Sequence, residues 1–259
     1  MEQGPATTQS RLRALRRWSR KPFGQALARL EQEVLCDILC DVFGYHLVVL
    51  DPSCQPEALH SSRIMHRVVQ TCSSEGLDEM PAMIASSAQL PLQSDSVDAF
   101  VLLHALDVAE DPRQVLREID RCLLPEGRLI ILGFNPLGWW GMRRLLLGWR
   151  GKVPWSLRFL SLPRLRDWLS LLGFDTLHSR YLFPHPPWRW HYGKGGSAPG
   201  LLQRLHHDNW PLFAGAYVLV ARKRVATLTP VKPRWRPRRA ILAGGGVAET
   251  RYGGINRNG

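Results

Sequence analysis

The sequence predicts an α/β fold: a mainly parallel sheet with helices on both faces. Three observations predict it. Val97 to Leu103 (VDAFVLL) is a nearly continuous apolar run, the pattern of a parallel strand buried on both sides. From Val97 to Phe134, strand, helix and strand follow one another within 38 residues, which makes a right-handed βαβ unit. The chain has 259 residues, 45% hydrophobic and 22% charged, enough for one sizeable core.

The elements follow in order. Residues 1–21 are polar and basic and read as an arm or a short surface helix. From Phe23 the apolar positions Leu27, Leu30, Val34, Ile38 and Val42 recur three or four apart, one face of a helix that Gly44 is placed to end. His46 to Leu50 (HLVVL) reads as a buried strand stopping at Asp51-Pro52. Pro56 to Ile64 suggests a short helix, Arg67 to Val69 a second strand, Glu75 to Met80 a helical turn, and Pro81 to Ala85 a third strand. Asp111-Pro112 starts a helix, with Asp as cap and Pro in the first turn. Val115, Leu116, Ile119, Cys122 and Leu123 form its apolar stripe, Pro125-Glu126-Gly127 ends it, and Arg128 to Phe134 is the next strand. Leu137 to Trp149 looks helical. Pro163 opens a helix carrying Leu165, Trp168, Leu169 and Leu172, closed by Gly173. Phe174 to Leu182 alternates as a strand, 184–211 is a long loop or lid, and Ala216 to Ala221 is the last strand. The expected organisation is a basic arm over 1–21, one domain over 22–222, and a basic, Pro/Gly-rich disordered tail over 223–259.

The net charge of +12 is not spread evenly. Residues 1–21 and 221–259 carry the excess, while 22–220 hold 18 basic and 20 acidic residues. A body of near-neutral charge does not read as a nucleic-acid surface. The tail Lys232-Pro-Arg-Trp-Arg-Pro-Arg-Arg239 admits nucleic-acid contact, with a solvated tail as the alternative. The longest apolar stretch, Leu129 to Trp149, is interrupted by Asn135, Pro136, Arg143 and Arg144, so no membrane span is expected. Five cysteines without a CxxC pair point to free thiols in a reducing compartment, and a cytoplasmic location is expected. Cys36 with Cys40, and His185, His191, His206 and His207, lack the spacing of a metal-ligand set, so no metal is expected.

Leu90-Pro-Leu-Gln-Ser-Asp-Ser-Val-Asp98, then VLLHALDVAEDP, then QVLREIDRCLLPEGRLIILGFNP, resembles class I S-adenosylmethionine-dependent methyltransferases of the type 11 group. Gly173-Phe174 and a final strand ending in Ala221-Arg-Lys223 fit the later order, so the resemblance spans about 85–223. It implies a Rossmann-like sheet with one antiparallel strand near the C-terminus, the cofactor S-adenosylmethionine, and a methyl acceptor of unidentified kind. One stretch departs from the family. Leu50-Asp-Pro-Ser-Cys-Gln-Pro-Glu57 stands where a Gly-x-Gly-x-Gly turn is usual, and Ser53, Gln55 and Glu57 cannot take positive φ as glycine does. A subfamily with a degenerate glycine motif is the direct reading. A catalytically inactive methyltransferase-like scaffold or binding module is the alternative.

Ligands of open α/β sheets sit outside the carboxyl ends of the strands. On that rule, together with the resemblance, the cofactor candidates are Asp51, Ser53, Ser86, Ser87, Ala88 and His104. Adenine is expected near Ser86 to Ala88 and the methionine end near Asp51, Ser53 and His104. His104, just past a buried strand, is the candidate base, with a structural histidine as its alternative. Asn135, Trp139 and Arg143 are candidates for the acceptor side, and a core-packing helix with a charged edge is the other reading of that segment. Methyl transfer to O or N is an in-line displacement, so positioning and desolvation can suffice without a catalytic triad.

Overall fold

The computed structural model describes residues 8–50, 59–72, 81–138, 157–182 and 214–224. The chain divides after Val225, and every described residue lies in the first unit. Seven strands form one sheet: β1 (His46–Leu50), β2 (His66–Thr71), β3 (Ala82–Ile84), β4 (Val97–Leu103), β5 (Leu123–Phe134), β6 (Phe174–Leu182) and β7 (Ala216–Lys223). Their order is β3-β2-β1-β4-β5-β7-β6. Strands β1 to β5 pair in parallel, and β7 runs antiparallel between β5 and β6. The order reverses between β1 and β4, the switch point where such sheets bind ligands.

Alternation along each strand divides the core in two. Leu47, Val49, Ala99, Val101, Ile130, Leu132, Val218 and Val220 face one side, where they meet α1 (Thr8–Ser19) and α2 (Pro22–Leu39). Val48, Leu50, Phe100, Leu102, Leu129, Ile131, Leu219 and Ala221 face the other, against α3 (Pro112–Cys122) and α4 (Leu162–Leu171). Period-two strands sandwiched between period-3.6 helices need apolar residues at nearly every central position, which is why β1, β4 and β5 read as unbroken runs. Asp111 caps α3, its carboxylate accepting from the N–H groups of Arg113 (3.0 Å) and Gln114 (3.3 Å). Gly173 ends α4 with φ of 84°, a conformation costly for any side chain.

Three differences from the sequence reading have physical causes. Residues 8–19 are a helix whose Leu12 and Leu15 are buried in the first core, so this part of the basic arm packs on the domain. Leu12, Leu15 and Trp18, three apart, give it an apolar stripe despite its arginines. Helix α2 closes at Cys40 before reaching Gly44, which instead lets the chain pass Asp98: a Cβ on Gly44 would lie 2.4 Å from the Asp98 Cβ. Strand β5 begins at Leu123, which pairs with Val97, and the register then shifts so that Arg128 pairs with Ala99. Pro125-Glu126-Gly127 is thus a bulge within the strand, with Glu126 at φ of 65°. The helical turn at 75–80, most of the helix at 137–149, the loop at 184–211 and the tail lie outside the described residues. Among the described residues no helix is long and apolar enough to cross a membrane.

Candidate functional site

The carboxyl ends of β1, β2 and β4 border a shallow, partly open cleft. Leu50, Ala105 and Val108 give it an apolar floor, and Gln70, Thr71 and Ser87 supply polar groups. Thr8 and Leu12 of α1 form its outer wall. Arg16, one turn further along α1, donates from its guanidinium to the Thr71 Oγ1 at 2.9 Å. Thr8 anchors the start of the helix by donating its N–H to Glu110 Oε1 at 3.3 Å. The loop after β3 is held by the buried Gln70, whose amide donates to the Ala85 carbonyl, and by the bridge between Ser86 and Gln89.

Behind the cleft floor lies a buried charge cluster. His104 follows β4 at φ of 57°, a left-handed conformation worth on the order of 1 kcal/mol of strain. Its Nε2 is 2.8 Å from Glu31 Oε1 of α2, and its Nδ1 is 3.0 Å from Asp107 Oδ2. The ring stacks on Phe134 with centroids 4.0 Å apart. Asp107 Oδ2 also accepts the Phe134 N–H at 3.0 Å, which ties the end of β4 to β5. Both ring nitrogens face carboxyl oxygens, an arrangement that favours the doubly protonated, charged ring. Burial opposes that charge, but the charge of Glu31 and the bonds to Asp107 and Glu31 outweigh it and hold the pKa at about 10. Asp107 is pushed upward, chiefly by burial against the pull of His104. Its Oδ1 is buried with no hydrogen-bond partner among the described residues.

This geometry sorts the residues singled out in the sequence. Ser87 lines the cleft. Ser86 serves the loop itself, its Oγ accepting the Ala88 N–H at 3.3 Å. His104 lies beneath the cleft rather than in it, with both nitrogens engaged and no free nitrogen to take a proton from an acceptor. Asn135 is buried and staples a turn, its amide donating to the Ala214 carbonyl at 3.0 Å and its Oδ1 accepting the Leu137 N–H at 3.1 Å. Asp51, Ser53, Trp139 and Arg143 lie outside the described residues. Sequence reasoning missed Arg16, Thr71 and Glu31. Glu31 did leave a signal: it falls four residues from both Leu27 and Leu35, so a charge sits on the buried face of α2.

A model of the methyltransferase domain family matches residues 36–131. The uncharacterized protein YafS of Escherichia coli strain K12 is 33% identical over 218 residues, 83% of this chain and 84% of that one. Among solved structures, an S-adenosylmethionine-dependent methyltransferase of Thermotoga maritima superposes with a TM-score of 0.58 at 16% identity, covering 82% of this chain and 98% of its own. The [4+2]-cyclase SpnF superposes at 0.54 and 18% identity, covering 80% and 84%. At such identities these two structures speak for the fold alone.

Proposed function

The chain belongs to the class I S-adenosylmethionine-dependent methyltransferase family, and from that premise we propose that the cleft at the ends of β1, β2 and β4 holds the cofactor. The observation that carries this reading is the cleft's place: it lies at the switch point, where apolar Leu50, Ala105 and Val108 adjoin polar Gln70, Thr71 and Ser87. Ser87 and the loop after β3 would contact adenine. Thr71 and Arg16 stand at the end of β2, where an acidic residue commonly takes ribose hydroxyls. A hydroxyl and a guanidinium can bond the same groups with donor and acceptor roles exchanged. S-adenosylmethionine, when bound, supplies an electrophilic methyl group. The residues described here orient the ligand and exclude water. Helix α1 does the latter by walling the cleft with Leu12, and the cluster around His104 acts as a positioning element that fixes the floor at Ala105 to Val108.

The reading is tested by thermal unfolding with S-adenosylhomocysteine. A ligand that binds only the folded state raises the melting temperature, and at 100 times its Kd adds about 2.7 kcal/mol. Ser87→Trp fills the cleft and is expected to abolish that rise while the unliganded protein stays folded. An equal rise in Ser87→Trp would place the ligand elsewhere. The run Leu50 to Glu57, without glycines, favours a second reading as a non-catalytic scaffold. The methyl acceptor, and nucleic acid contact through the basic ends, are open to the same kind of binding measurement. Free Cys36, Cys40, Cys72 and Cys122 support a reducing, cytoplasmic setting.

A further inference from the structure

The opposite end of the sheet carries a second constellation, outside the cofactor cleft. His46 opens β1 and His66 opens β2, and the parallel register sets the two side by side. Both side chains are exposed. Their Nδ1 atoms lie 2.9 Å apart in a hydrogen bond, the Nδ1–H of one ring donating to the Nδ1 of the other, with ring centroids at 5.0 Å and planes crossing at 87°. The backbone beneath them is fixed. The N–H groups of Tyr45 and His46 both donate to Asp98 Oδ2 at 2.9 Å, and the His66 N–H donates to the Tyr45 carbonyl at 3.2 Å. The hydrogen bond keeps the two imidazoles adjacent, which lowers the ordering cost of a shared ligand; an ion bound by both Nδ1 atoms takes the place of the shared proton, and the donor ring is then protonated at Nε2 instead.

Imidazole nitrogens bind first-row metals at about 2.0–2.1 Å, within reach of two rings already in contact. Among divalent first-row ions, nitrogen sites favour Cu²⁺ most strongly. We propose that His46 and His66 chelate a divalent transition cation, Cu²⁺ ahead of Ni²⁺, at the amino end of the sheet. Binding breaks the hydrogen bond and turns both Nδ1 lone pairs toward one ion. Among the described residues no cluster of three or more His, Cys, Asp or Glu is placed to hold a metal, so water completes the coordination and the ion exchanges readily.

The test is titration of the full chain with Cu²⁺, Ni²⁺ and Zn²⁺ in the wild type, His46→Gln and His66→Gln. Exposed positions tolerate these changes, and circular dichroism checks that the fold is kept. The expected result is one Cu²⁺ site that each substitution weakens by about tenfold or more, since losing one of two ligands removes the chelate gain. Electron paramagnetic resonance of the one-to-one Cu²⁺ complex should show coupling to two imidazole nitrogens in the wild type and fewer in either variant. Zn²⁺ should bind more weakly than Cu²⁺. Cu²⁺ affinity unchanged within about twofold in both variants would overturn the proposal, because the ion would then sit on other histidines. Zn²⁺ binding more tightly than Cu²⁺ would overturn the choice of cation.

Discussion

At the scale of single residues, one imidazole between two carboxylates governs the ground under the cleft. Removing His104 leaves Glu31 and Asp107 buried and facing each other without a cation. His104→Ala is therefore expected to lose about 3–5 kcal/mol in urea unfolding at neutral pH. A loss below about 1 kcal/mol would show that the cluster contributes little. The sign of its pH dependence follows from a raised pKa. The stabilisation is complete below the ordinary histidine value of 6.5 and is lost as pH rises through about 10. The stability gap between wild type and His104→Gln should thus narrow between about pH 6.5 and pH 10, which urea unfolding at several pH values would follow. The sequence pointed to His104 through its place after a buried strand, yet hid its role. A motif records that a histidine follows the strand; only packing shows that Glu31, 73 residues earlier, takes its second nitrogen. Ser87 was legible for the opposite reason, because loop position after a strand end already fixes which cleft it borders.

At the scale of elements, capping and burial make separate predictions. Asp111 satisfies two N–H groups at the start of α3, so Asp111→Ala should cost about 1 kcal/mol, measured as a lowered urea midpoint with unchanged slope. Leu15 of α1 is 1% exposed, and Leu15→Ala should cost about 2–5 kcal/mol by leaving a cavity. A near-neutral result for Leu15→Ala would mean that α1 is not part of the folded domain. The two helices were not equally readable. Asp-Pro followed by an apolar stripe from Val115 to Leu123 is a local signal that needs no tertiary information. Helix α1 has five arginines within or beside it, and only its few apolar positions disclose that one face is buried. The bulge in β5 was unreadable for a related reason: Pro-Glu-Gly signals a break in any local scheme, and its repair depends on Val97 across the ladder.

At the scale of the whole molecule, the parallel strands β1, β4 and β5 could be read because burial on both faces writes itself into consecutive apolar residues. The antiparallel β7 was implied by family resemblance and stands between β5 and β6. The first half was less legible, since β2 and β3 are short and lie toward the sheet edge, where burial no longer dictates each residue. The candidate site divides the same way: its location follows from topology, whereas its wall at Thr8 and Leu12, and the Arg16 bond to Thr71, come from a helix that sequence periodicity barely marks. Arg16→Ala offers a check on that wall, with a weaker S-adenosylhomocysteine affinity expected from loss of the contact beside Thr71. The central claim is that this sheet, without a glycine turn after β1, still holds the family's cofactor at its switch point. Isothermal calorimetry of the full chain with S-adenosylmethionine and S-adenosylhomocysteine tests it most directly. The account predicts one-to-one binding of both ligands, lost in Ser87→Trp; no heat from either ligand at millimolar concentration in the wild type would contradict it.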